Sequence, residues 1–405
     1  MRPIQSWSGT RPPSLLLWQP TKRQLQVRLR KEAAESILPT FINAVNTIDH
    51  RYHSYGTELV EQKGASKKAA IASAGYHMLV SLLPDQAATL ATEYSNALGA
   101  IPDSTAKNRG IHVGQAAAFA IFALRANDGR GANVTYTFPA SPEPGAWIPT
   151  PPGFLPPLTP WVGQMVPFTM SSASEFLPTD GPSDLGSAQW VNDYNETKRL
   201  GSVGSTARTP QQTEIGLFWT AHAGAMYAPA FRKLAADRHL NISDSARLFA
   251  MLYTAYADSF IGCLNAKYHF GFWRPVTAVQ NAEIDGNPET APDPTWLPLG
   301  ATPNHPEFPA AHGCVTGAVA KTVELYFGTP KVGITVSSNI TNTTHAFTDT
   351  RDWQKEVLGA RIYSGFHYRH SLDEGFRLGH EVAEQIERKF FLPLPGRTKP
   401  KISDD

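Results

Sequence analysis

Three stretches of the chain carry cations and imidazoles in places where solvation at a surface explains them poorly. In KYHFGFWRP, Lys267 and Arg274 stand seven residues apart among aromatic side chains. On one continuous helix that is two turns, so both would project from a single ridge. Such stems can snorkel to water, or they can hold two fixed positive charges against an anion. In FPAAHGCVTGAVAKTVELYF, Pro309 ends an extended stretch and the alanines begin a helix whose first amides lack internal partners. Those amides and the helix dipole suit an anion, and His312 would stand in that first turn, either beside the anion or as a structural hydrogen-bonder. Gly313 and Gly317, four apart, let a neighbouring helix come close. In ARIYSGFHYRHSLDEG, Arg361 and His367 are six apart, which on a straight helix separates their directions by about 120°. A break near Ser364 or Gly365 would aim both at one point.

Together these stretches supply one lysine, two arginines, helix-start amides and two histidines. Arginine's planar fork suits the oxygens of an oxyanion, and lysine acts as a mobile point charge. One histidine could attack or ligate the central atom while the other moves a proton. The expected site is therefore an oxyanion pocket. No P-loop, dinucleotide-binding fingerprint or His-Glu zinc helix occurs in the sequence. Ser371 has a local explanation: S-L-D-E reads as a capping box with Glu374 at its far end, which leaves His370 and Asp373 no demanded catalytic role.

The elements that must position these groups are helical. Apolar residues at intervals of three and four predict helices over 24–54 and 64–98, and another from Asp103 to Leu124. Further helices are expected with Thr209 as cap and Pro210 in the first turn, after a cap at Ser243 or Asp244, and over 311–327, 352–362 and 372–390. Between about 126 and 210 the character changes, since PASPEPGAWIPTPPGFLPPLTPWVGQM holds too many prolines for helix interiors or central strands. Trp147, Phe154, Leu155, Trp161 and Phe168 nevertheless argue for an ordered excursion over the helical body, because disordered linkers are poor in large apolar groups. No alternating run marks a dominant sheet. The fold class expected is all-α, a multi-helix bundle with one long irregular excursion. The division expected is an extension over 1–23, one helical domain over 24–395 and a tail over 396–405.

The 405 residues, 41% of them apolar, are enough for a large core without metal or disulfide support. Lys plus Arg (36) nearly balances Asp plus Glu (35), so no long-range field favours nucleic acid or an anionic membrane. Cys263 and Cys314 are the only cysteines; they are expected near each other if Lys267 and His312 converge, as free buried thiols rather than a disulfide. The apolar run at Leu15–Trp18 is too short for a signal-peptide core, and AAAFAIFAL (116–124) is half a membrane span. The expectation is a soluble protein with no membrane span, cytoplasmic or exported.

In these residues the chain resembles the superfamily of vanadium-dependent haloperoxidases, type 2 phosphatidic acid phosphatases and class A acid phosphatases. Its first signature, Lys, six residues, Arg-Pro, is matched in full by Lys267 to Pro275. The second, Pro-Ser-Gly-His, is matched at its ends by Pro309 and His312, with Ala310 and Ala311 between. The third, Ser-Arg, three residues, Gly, one residue, His, three residues, Asp, is matched at Arg361, Gly365 and His367, with Ala360 for the serine and Ser371 for the aspartate. The three fall in the right order within about 105 residues. Helical segments from about residue 24 resemble bacterial haloperoxidase-related proteins, so the likeness covers most of the chain.

The resemblance implies vanadate as cofactor, with phosphate or sulfate able to take its place. His367 would be the axial ligand, or the nucleophile in a phosphatase. Lys267, Arg274, Arg361, the amides of Ala310 and Ala311, and Gly365 would bind the cofactor, and His312 would be the acid-base residue. Ala310 lacks the family serine's hydroxyl, a loss of about 1–3 kcal/mol if its partner stays unpaired. The missing aspartate leaves the imidazole of His367 to a carbonyl or another residue. His305, seven residues before His312, stands where the algal bromoperoxidases have histidine, which leans toward bromide or iodide. The implied reaction is peroxide-driven oxidation of halide followed by halogenation of a small organic acceptor. An acid phosphatase working through phosphohistidine and a non-catalytic oxyanion-binding scaffold are the alternatives, and a homodimer is left open.

Overall fold

Prolines and glycines decide where the helices stop. In the computed structural model, which describes residues 39–396, α1 spans Pro39–Asp49 and ends where His50 takes a positive φ of 47°. The expected extension before residue 24 lies outside the described residues. The helix expected over 64–98 is two helices, α2 (Lys67–Leu82) and α3 (Ala87–Gly99), because Pro84 cannot continue the first and opens a short 3-10 turn between them. In α4 (Thr105–Leu124) the cap is Ser104 rather than Asp103; Asp103 instead pairs with Lys107 at 2.7 Å.

The proline-rich excursion is ordered and fastened to the longest helix, α8 (Ile242–Phe270). The fully buried carboxylate of Asp258 accepts the amides of Phe168 and Thr169, each at 2.6 Å, and the Thr169 hydroxyl. Asn265 Nδ2 donates to the Gly163 carbonyl at 2.8 Å, and the Tyr268 hydroxyl donates to Leu158. Trp147 and Phe168 are buried as expected of an ordered segment, whereas Phe154 and Leu155 face solvent. The excursion is not irregular throughout. It ends in a helix that proline density nearby had hidden, α5 (Ala188–Gly201), capped by Ser187.

Thr209 and Gln212 form the full capping box that opens α6 (Pro210–Phe218). Then come α7 (Ala223–Asp237), α8 capped by Asn241 rather than Ser243 or Asp244, and the short α9 (Pro275–Gln280). They are followed by α10 (Ala311–Phe327), a two-stranded antiparallel hairpin of β1 (Ile334–Ser338) and β2 (Thr343–Phe347), α11 (Thr350–Tyr363) and α12 (Arg369–Lys389). The architecture is all-α apart from that hairpin. No helix among the described residues is long and apolar enough to cross a membrane.

Two packing features place the site. Gly313 and Gly317 of α10 face Gly375 and Gly379 of α12, and the backbones meet so closely that a Cβ on Gly375 would sit 2.7 Å from the Ala310 carbonyl oxygen. This brings the first turn of α12 against the segment leading into α10. Behind that junction, Trp190, Phe272, Trp273, Phe308 and Tyr368 form a buried aromatic cluster. Each of Trp273, Phe308 and Tyr368 is the chain neighbour of a chemically active residue, Arg274, Glu307 and His367. Burying such rings contributes about 1.5–3 kcal/mol apiece, and it fixes the backbone from which those polar neighbours project.

Candidate oxyanion site

Lys267 and Arg274 do not lie on one helical ridge. Gly271, at φ 61°, caps α8 by donating its amide to the Lys267 carbonyl, and the chain turns so that Arg274 precedes α9. Both cations are fully buried and are met by backbone oxygens of residues 305–307. Lys267 Nζ donates to the carbonyls of Pro306 (2.9 Å) and Glu307 (2.8 Å). Arg274 Nε donates to the His305 carbonyl at 2.9 Å and Nη1 to the Phe366 carbonyl at 2.8 Å.

The break expected between Arg361 and His367 is present. Helix α11 ends at Tyr363, Gly365 adopts φ 72°, and a Cβ there would meet the Gly201 carbonyl oxygen at 2.6 Å. Glycine is required at 365 by conformation and by space, which is a structural role. Arg361 Nη1 donates to the Trp219 carbonyl at 2.9 Å and its guanidinium lies over the Phe366 ring, while its buried Nε has no hydrogen-bond partner among the described residues.

The imidazole of His367 is held from both sides. Its Nε2 lies 3.1 Å from Arg274 Nη1 and its Nδ1 lies 2.8 Å from Glu307 Oε1. Guanidinium nitrogens only donate, so Nε2 must accept, and the ring proton resides on Nδ1 facing the carboxylate. That tautomer keeps a lone pair on Nε2, as a metal ligand or a nucleophile requires. His305 Nδ1 lies 3.0 Å from Arg274 Nη2, a donor, and 3.1 Å from the Pro306 carbonyl oxygen, an acceptor, so the two contacts do not select one tautomer. His305 is buried in the wall of the site rather than exposed on the surface.

Glu307 is the functional residue that sequence reasoning missed. Its carboxylate receives His367 Nδ1, the Tyr368 amide (3.1 Å) and the Ser371 hydroxyl (2.6 Å). The signal was present: the aspartate absent at 371 leaves an imidazole without its acid, and Glu307 is the lone acid in the HPEFPAAH stretch. The capping-box reading of Ser371 is corrected at the same time. Helix α12 starts at Arg369 after Tyr368, so Ser371 lies inside it and its hydroxyl serves Glu307. The availability of the Ala310 amide is corrected too, since it donates to the Ser371 carbonyl at 2.8 Å. Ala311 opens α10, and no side chain caps the helix start.

Burial dominates the electrostatics. It lowers Lys267 to about 8, Arg274 to about 10 and Arg361 to about 9, with Arg274 adding to the loss at Arg361 by repulsion. Burial likewise holds His367 and His305 well below the ordinary imidazole value, reinforced by the surrounding cations. It raises Glu307, against the pull of Lys267, the Ser371 hydroxyl and Arg274. Hence neutral imidazoles face buried cations, a setting that gains from an anion. His312 is half-buried in the first turn of α10. Cys263 and Cys314 are both free and buried, and Cys263 Sγ lies 3.7 Å from the Pro309 carbonyl oxygen. Among the described residues no group of three or more His, Cys, Asp or Glu side chains could by itself hold a metal ion. The donor set suits an oxyanion instead.

Residues 247–391 match the model of the VCPO second helical-bundle domain, the span that holds Lys267, Arg274, His305, Glu307 and His367. The vanadium chloroperoxidase of Curvularia inaequalis is 30% identical over 191 residues, 39% of this chain and 30% of that protein. Within this span the chain is similar to the vanadium chloroperoxidases. The match spans less than a third of that relative's length. Solved structures agree on the fold. The first bacterial vanadium-dependent iodoperoxidase superposes with a TM-score of 0.74 at 20% identity, covering 90% of this chain and 91% of that one. The holo-type bacterial vanadium-dependent chloroperoxidase superposes with a TM-score of 0.70 at 15% identity, covering 93% and 94%.

Proposed function

We propose that this chain is a vanadate-dependent haloperoxidase that oxidises bromide or iodide with hydrogen peroxide and passes the halogen to small organic acceptors. One observation carries the reading. Buried Lys267 and Arg274 both donate to carbonyls of residues 305–307, and His367, held by Glu307, turns its Nε2 lone pair toward the Arg274 guanidinium. Arg361 adds a buried Nε without a partner among the described residues, a donor an oxyanion would satisfy. Vanadate fits this set, with His367 to hold the metal and Lys267, Arg274, Arg361 and the Ala311 amide to hold its oxygens. When bound, it supplies the Lewis acidity that activates peroxide toward two-electron oxidation of halide. The protein's part is positioning and charge. Lys267 keeps a positive charge at the oxygens, Glu307 keeps the His367 proton on Nδ1, His312 is the residue assigned to proton transfer, and His305 is the wall residue assigned to halide choice.

A second reading has its own support. The Glu307 contact gives His367 the carboxylate that a phosphohistidine phosphatase needs, in spite of serine at 371. Orthovanadate separates the two. Protein loaded with it should brominate a phenol-sulfonate dye in bromide and peroxide, and bleaching that is the same without vanadate ends the haloperoxidase proposal. Hydrolysis of p-nitrophenyl phosphate that vanadate suppresses would establish the phosphatase instead. Inactivity in both assays with oxyanion binding retained in calorimetry would leave a non-catalytic oxyanion-binding scaffold.

A further inference from the structure

The relation between Glu307 and Ser371 goes beyond a replacement contact. A carboxylate offers about four lone-pair sites, and three are filled by groups at the start of α12: the ring of His367, the amide of Tyr368 and the hydroxyl of Ser371. A serine inside a helix commonly turns back to a carbonyl of the preceding turn; Ser371 reaches across to another segment. The main chain of Glu307 is equally committed. Its amide donates to the Phe272 carbonyl at 2.8 Å, and its carbonyl takes the Lys267 ammonium at 2.8 Å. One residue thus fixes the ring at its side-chain end and the lysine at its backbone end, with the aromatic cluster packed behind both.

We infer that Glu307 and Ser371 form a relocated positioning pair: the carboxylate that orients His367 comes from the 305–309 segment, and the Ser371 hydroxyl clamps its second oxygen from the place where the resemblance sets an aspartate. Glu307 is the longer acid and arrives from across the junction, so the position four residues after His367 is free to become a donor. The close glycine contact of α10 with α12 makes the exchange possible, because it holds the two segments within hydrogen-bond reach. The functional consequence rests on the oxyanion reading above; the orientation of the ring does not.

The test compares Glu307→Gln, Glu307→Gln/Ser371→Asp and Ser371→Ala with the parent chain, read by ring 15N shifts of His367 and by calorimetric affinity for orthovanadate and for phosphate. The parent should show the proton on Nδ1 alone. Glu307→Gln leaves Arg274 donating to Nε2, so the tautomer should hold, but with the carboxylate charge gone the Nδ1–H 15N shift should move toward that of an imidazole bonded to a neutral acceptor, and either anion should bind about 10–100-fold more weakly. Adding Ser371→Asp should restore both the shift and most of the affinity, a rescue that a purely structural role would not produce. Ser371→Ala, the mildest change, should weaken binding several-fold and serves if the Gln variant does not fold. An unchanged Nδ1 shift in folded Glu307→Gln, or a folded double variant without rescue, overturns the pair. Failure of the parent to bind either anion would overturn the oxyanion reading alone, since the shift comparison still stands.

Discussion

Two histidines in this molecule each meet carboxylates, with opposite consequences. His367 is buried and has one carboxylate partner, Glu307, and one cationic partner, Arg274. His345, on β2, is 17% exposed and has carboxylates at both nitrogens: Glu356 Oε1 at 2.6 Å from Nδ1 and Glu214 Oε2 at 3.1 Å from Nε2. Both of its partners are acceptors, so neither nitrogen of His345 meets a donor that would hold a lone pair in place. His345 therefore acts as a clamp, stacked on Phe218 at 3.8 Å and joining the hairpin to α6 and α11. In His367, Arg274 can only donate, so the lone pair on Nε2 persists. The group at the second nitrogen, rather than the presence of an acid, decides whether a histidine can ligate or attack.

That contrast can be broken most sharply by deletion of the ring. His367→Ala should lower orthovanadate affinity and any turnover by about a thousandfold or more, as measured by calorimetry and initial rates; retained binding would mean that Nε2 is not the contact. A smaller effect should follow from pH. Burial lowers Lys267 to about 8, and the anion is attracted by its charged form, so affinity should decline as pH rises through that value. The limb due to lysine should vanish in Lys267→Met; a parallel decline in both proteins would locate the titration elsewhere. The smallest effect belongs to the clamp. His345→Gln should cost about 1 kcal/mol in denaturant unfolding, the usual worth of a partly exposed hydrogen-bonded pair, and should leave oxyanion affinity within twofold. A tenfold loss of affinity would show that the hairpin is coupled to the site through Trp219, whose indole donates to Glu356 and whose carbonyl holds Arg361.

Errors of the sequence reading share one cause. Ser371 carried a valid local pattern for a cap, yet helix α12 starts three residues earlier than that cap implies because the backbone there is set by Tyr368 in its aromatic cluster. Lys267 and Arg274 carried a valid helical spacing, yet Gly271 turned the chain between them. Helix α5 was overlooked because the proline density before it masked a short periodic segment. Where a signal was local and unopposed, as in the Thr209 cap or the glycine pair at 313 and 317, reading and structure coincide.

The sequence by itself determined which charges and imidazoles exist, their order, and the helices that carry them, because helix periodicity and motif spacing depend on residues within a few turns of one another. It could not determine that Glu307 serves His367, that the Ala310 amide is already used, or that His305 faces Arg274. Those partnerships join residues 31 to 64 positions apart. They exist because glycine-lined helices bring two backbones close and a buried aromatic cluster aims what lies beside it, so hydrogen-bond partners there are selected by packing.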